Sequence, residues 1–186
     1  MIENDHFAVS FDTRTGTIAV RRRDGSTFLT GGVACANTDA GRQSTASPGC
    51  ERVVDVSAFR DRLGPGRRLS IVCRDPQKVL DLHVDVAVYD HRPTVTVDAR
   101  CTNVSSRDVV VSSLEPIRAA PSEGGTLRVP GVTKCVTNGE MYWDAGRLHD
   151  FAADPPSGSK PPIKGVRLAN EALGTPHATV ARWSHA

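Results

Sequence analysis

The sequence predicts an all-β protein, an antiparallel β-sandwich with little helix, and three observations carry that prediction. The first is a stretch of strict alternation in which Leu80, Leu82, Val84, Val86 and Val88 fall on one face and Asp81, His83, Asp85 and Tyr89 on the other. The second is a run of short apolar segments bounded by Gly, Pro, Asn and Asp at intervals of roughly ten residues, the spacing of strands in a sandwich or barrel. The third is the lack of a convincing helical stripe in any long window except Ile163 to Leu173, which Gly165 weakens.

The elements follow in order. Phe7, Val9 and Phe11 alternate with Ala8 and Ser10, Asp12 to Gly16 supplies turn residues, and Thr17 to Val20 resumes the extended pattern, so a hairpin is expected. Asp24-Gly25 is a two-residue turn signal that leads into a third strand at Ser26 to Leu29. From Gly31 to Cys50 small and polar residues without periodicity predict a long irregular excursion. Strands are expected at Arg52 to Phe59 and Arg68 to Cys73, separated by a turn at Gly64-Pro65-Gly66. After the alternating strand, Arg92-Pro93 turns the chain, Val95, Val97 and Ala99 alternate again, Asn103 to Arg107 makes a polar turn, and Val109 to Leu114 forms another strand. Asp154 to Pro162 holds four prolines and predicts an extended loop.

A chain of 186 residues fits one sandwich domain over residues 1–186. Hydrophobic residues at 39% and charged residues at 24% are those of a globular protein, and no apolar run approaches the roughly 20 residues of a membrane span. A formal charge of +2 gives no field to gather nucleic acid or anionic lipid, so neither nucleic acid nor a membrane is an expected partner. Met1 to His6 is polar and acidic, unlike a secretory signal, which predicts a cytoplasmic location. Five widely spaced cysteines without a C-x-x-C pair read as reduced thiols and not as a zinc site. Serine-hydrolase, phosphate-loop and dinucleotide fingerprints are lacking, and no cofactor or metal is expected. Asp81, His83 and Asp85 share one polar strand face, which reads as a wet surface, because a metal would need ligands converging from other elements.

The segment richest in chemistry runs from Thr137 to Asp150. Asn138-Gly139 makes a tight turn, and behind it stand Tyr142 and Trp143 in a chain with only 5% aromatics. Aromatic faces suit the C–H surfaces of sugar rings, and Asp144, Arg147, His149 and Asp150 suit hydroxyl groups. Asn138, Tyr142, Trp143, Asp144, Arg147, His149 and Asp150 are therefore the candidate substrate-binding residues. The alternative is that the two aromatics plug one end of the sandwich and the charges are solvated.

The NG-x-x-x-W arrangement of Asn138, Gly139 and Trp143 resembles the motif near the end of the N-terminal β-supersandwich domain of family 36 α-galactosidases and raffinose-synthase-like relatives. Phe11-Asp12 with Thr15-Gly16-Thr17, Leu63 to Gly66, and the alternating strand ending at Tyr89 before Arg92-Pro93 look alike too, so the similarity spans most of the chain. Met141-Tyr142 stands where the commoner pattern has Gln-Ser, which points to a distant branch. The resemblance implies a non-catalytic accessory domain that shapes a sugar-binding entrance or an oligomer interface. Its partners would be a galactoside, a catalytic barrel in the same or a neighbouring chain, and other copies of itself. In that family an aspartate nucleophile and an aspartate acid/base sit on the barrel. Asp144 and Asp150, in one loop-like segment, are not expected to replace them. The other readings are a free-standing carbohydrate-binding module built on Tyr142 and Trp143, and an aldose-epimerase-like enzyme. The epimerase chemistry needs a glutamate paired with histidines, and Glu123, Glu140 and Glu171 fit no such pattern.

Overall fold

The computed structural model of the chain describes residues 1–128 throughout and, beyond them, the backbone of four short strands. The described chain is nearly all β, its strand pairings are all antiparallel, and its one helical element is the 3₁₀ turn Pro121–Glu123. A first sheet has the order β1 (Ile2–Glu3), β2 (Phe7–Asp12), β3 (Thr17–Arg22), β4 (Thr27–Thr38) and β10 (Val111–Arg118). Two further strands, β5 (Gly41–Ser44) and β11 (Thr126–Leu127), also pair with β4. A second sheet is the meander β6 (Glu51–Asp61), β7 (Gly64–Arg74), β8 (Leu80–Tyr89) and β9 (Val95–Asn103). Two separate hairpins complete the description: β12 (Lys134–Thr137) with β13 (Arg147–Asp150), and β14 (Leu168–Ala169) with β15 (His177–Ala178).

The alternation read in β8 is the spine of the core. Leu80, Leu82, Val84, Val86 and Val88 are all buried, and with Leu69, Ile71 and Cys73 of β7 they pack into one cluster with Ile2, Val9, Ile18 and Val20 of the other sheet. Full burial of each such side chain stabilises by about 1.5–3 kcal/mol, so this row alone outweighs any single polar contact in the fold.

Expectations for four segments are corrected. The long excursion from Gly31 to Cys50 is instead the second half of β4, a hairpin with β5, and a short turn. Gly32, Val33, Ala34, Cys35 and Ala36 are buried on both faces of a central strand, which erases the polar–apolar contrast that marks a half-exposed one. Gly64-Pro65-Gly66 is the start of β7 and not the turn; Asp61 pairs with Gly64 across the two-residue loop Arg62-Leu63, and Asp61 Oδ1 accepts the Leu63 N–H at 2.7 Å. Gly66 is required by packing, since a Cβ there would stand 2.3 Å from the Val88 carbonyl oxygen and 2.9 Å from the Phe59 ring. The polar face of β8 is wet only in part, for Ala87 and Tyr89 are buried beside Phe59. The strand expected at Val109 to Leu114 starts at Val111 and runs on to Arg118 as β10. No helix among the described residues is long and apolar enough to cross a membrane.

Two side chains bind the layers at opposite ends of the β2–β3 hairpin. Asn4, 8% exposed, donates its amide to the carbonyls of Tyr89 (2.7 Å) and Arg92 (3.0 Å), while its Oδ1 accepts the N–H groups of His6 and Phe7. Arg52 of β6 donates to the carbonyls of Thr45, Ser47 and Thr13, all on the first-sheet side. Asn4→Ala strands four backbone groups and should lower stability by about 1–3 kcal/mol in urea unfolding, at constant denaturant slope. An unchanged midpoint would show that water replaces the amide at no cost.

Candidate functional site

Of the residues chosen from sequence, Arg147, His149 and Asp150 lie on β13, opposite Thr137, Cys135 and Lys134 of β12. Asn138, Tyr142, Trp143 and Asp144 lie outside the described residues, as do Asp154 to Pro162 and most of Ile163 to Leu173.

The described residues assemble a different groove, of about 370 Å³, on the outer face of the four-stranded sheet. Register decides its composition. Phe59, Gly66 and Tyr89 form one row across β6, β7 and β8. Asp55, Ser70, Asp85 and Asp98 form another across all four strands, and Val72, His83 and Arg100 a third. The bare backbone of Gly66 lets the Phe59 ring settle over the sheet, where it meets Tyr89 edge to face at 5.3 Å between centroids and carries the Arg68 guanidinium at 4.9 Å.

The polar groups are held in place by one another. The Tyr89 hydroxyl donates to Asp61 Oδ2 at 2.9 Å, and the Ser70 hydroxyl donates to Asp85 Oδ1 at 2.6 Å. The Leu63 N–H, aided by the Tyr89 hydroxyl, keeps the Asp61 carboxyl below its usual range; burial, and then Asp61, pushes the Tyr89 phenol up. Asp85 and Asp98 stand directly opposite, a like-charge cross-strand pair that costs stability by itself; Arg100, 3.7 Å from Asp85, offsets it. An aromatic floor bordered by carboxylates, guanidinium groups and hydroxyls can stack on an apolar ring face and at the same time bind hydroxyls around its rim.

Sequence reading drew Asp81, His83 and Asp85 from one strand and missed Phe59, Asp61, Arg68, Asp98 and Arg100. These come from β9 and from the β6–β7 hairpin, so only the register unites them. Among the described residues no three His, Cys, Asp or Glu side chains are grouped to hold a metal ion, and Cys35, Cys50, Cys73 and Cys101 are unbridged. No protein-family model, curated protein or solved structure matches the chain.

Elsewhere, beside β4, Glu123 links the 3₁₀ turn to β5 and β10. Arg42 holds it with both terminal nitrogens (2.9 and 3.2 Å), Arg118 holds it through Nε, and Arg118 also pairs with Glu115. Arg42, and then Arg118, pull the Glu123 carboxyl from an ordinary 4.5 down to about 2, against the opposing effect of burial. A depressed carboxyl contributes stability that is present above its unfolded value and lost as pH falls through its folded one. The unfolding midpoint should therefore decline between about pH 4.5 and 2, and Glu123→Gln should remove part of that slope. Parallel pH profiles for the two proteins in urea denaturation would show the clamp to be energetically idle.

Proposed function

We propose that this chain is a non-catalytic, carbohydrate-facing β-sandwich domain. In this reading it is the accessory domain of an α-galactosidase-like glycoside hydrolase, shaping a sugar entrance for a catalytic barrel carried in the same or a neighbouring chain. The observation that carries the reading is the groove of Phe59 and Tyr89 rimmed by Asp61, Asp98, Arg68 and Arg100. Phe59, backed by the buried Tyr89, offers a surface to the C–H face of a pyranose, and the rim offers both acceptors and donors to its hydroxyls. The resemblance of the sequence motifs supplies the galactoside and the barrel partner.

Retaining hydrolysis asks one carboxylate to attack and a second, about 5–5.5 Å away, to transfer a proton. Asp85, the carboxylate that faces Asp98, is already bound by Ser70 and flanked by Arg100, an arrangement that favours binding over attack. The alternative of a free-standing carbohydrate-binding module is favoured by one further observation: the groove is built wholly from residues of one four-stranded sheet over a continuous core.

Calorimetric titration with galactose, melibiose and raffinose distinguishes these readings. Saturable binding weakened about tenfold or more by Phe59→Ala, with no hydrolysis of p-nitrophenyl α-galactoside, is the expected outcome, the loss corresponding to a stacked aromatic worth about 1.4 kcal/mol. Affinity that a catalytic barrel partner does not raise favours the module; turnover abolished by Asp85→Asn would overturn the non-catalytic reading.

A further inference from the structure

We infer that the chain carries a second ligand site, separate from the outer-face groove, for a neutral polyhydroxylated molecule bearing adjacent hydroxyl groups. The site is the cleft of about 730 Å³ between the β2–β3 turn, the middle of β4, β5 and the 3₁₀ turn. Its volume lies within the range of about 300–1,000 Å³ typical of small-molecule sites.

Its walls are fixed by backbone approaches that admit no side chain. Gly16 has φ +72°, and a Cβ there would lie 1.9 Å from the Thr45 carbonyl oxygen; Gly31 has φ +60°, and a Cβ there would lie 2.5 Å from the Gly124 carbonyl oxygen. The turn, β4 and the 3₁₀ segment are thus locked together around the opening, which lowers the ordering cost of binding.

The lining selects the ligand's chemistry. Among the described residues lining it, the one cation, Arg42, is neutralised by Glu123, and the acceptor capacity of Glu123 is taken up by Arg42 and Arg118. With Asp12 also on the rim, the described lining carries an excess of negative charge and, among the described residues, offers no free cation to a phosphate or carboxylate. What remains is a set of short-range donors and acceptors. Thr17, Thr30, Ser44 and Ser47 contribute hydroxyls, of which Thr17 pairs with Thr15 while Ser44 and Ser47 accept the N–H groups of Ala46 and Ser44 and keep their own O–H to donate; Arg42 keeps N–H groups beyond those given to Glu123 and Cys35, and Asp12 keeps Oδ2, since Oδ1 receives the Arg14 and Thr15 N–H groups. Closely spaced groups that donate and accept, without net positive charge, match vicinal hydroxyls on a neutral ring or polyol. Among the described residues no aromatic side chain lines the cleft, so recognition by this lining is by hydrogen bonds, in contrast to the outer-face groove.

The test is a ¹⁵N NMR titration of the full chain with methyl α-galactoside, and in parallel with the anionic galacturonate. Saturable shifts are expected at Thr15, Thr17, Gly31 and Gly124 with the neutral sugar, and weaker binding is expected for the anion. Thr30→Val, which removes a hydroxyl at constant volume, should weaken the response about 3–10-fold, and Phe59→Ala should leave it unchanged. No shift at these amides, or equal response to the anion, would overturn the inference. Shifts confined to the Phe59–Tyr89 groove would overturn it while sparing the proposed function, and shifts confined to the cleft would do the reverse.

Discussion

The side-chain amide of Asn4 fixes how the two sheets are stacked, and the rest of the molecule depends on that stacking. The apolar cluster between the layers supplies most of the driving force, but burial is non-directional and would tolerate sliding of one sheet over the other. Asn4 removes that freedom because each of its amide groups has a backbone partner, two of them carbonyls at the end of β8 and in the turn after it. Its partners Tyr89 and Arg92 also sit where β8 turns toward β9. The N-terminal segment therefore anchors the end of the strand that carries the groove. Arg52 does the same at the far end of the β2–β3 hairpin, from the second sheet to the first.

On this rigid stack the outer face of the second sheet takes its character from cross-strand register. A one-residue slip in β6 would turn Val54 away from the core cluster and take Phe59 off the outer face where it meets Tyr89, so the packing of β6 and the aromatic contact are fixed together. Gly66 shows the coupling in one residue. Its missing side chain is a requirement of sheet packing, and the space it leaves is where the Phe59 ring lies beside Tyr89.

Legibility in the sequence followed the contrast between faces. β8 could be read residue by residue because one face is apolar and the other largely polar. β4 could not, because Gly32 to Ala36 is buried on both sides and made of small residues that resemble a loop in composition. Gly64 and Gly66 were legible as special positions, but a glycine demanded by a turn and one demanded by close packing look the same in one dimension. Of the groove, His83, Asp85 and Tyr89 were visible on one strand face, but that face read as wet surface and not as a site. Phe59 arrives from β6 and the opposing Asp98 and Arg100 from β9, which no local pattern in β8 reports. The Arg42–Glu123 clamp is of the same kind, joining residues far apart in the chain through the 3₁₀ turn.

The most direct test of the claim that the outer face of the second sheet is the recognition surface is a crystal structure of the chain grown with raffinose. The account predicts a sugar ring against Phe59 with hydroxyls directed to Asp61 or Asp98. Sugar bound only against Tyr142 and Trp143, with the Phe59 groove occupied by solvent, would contradict it.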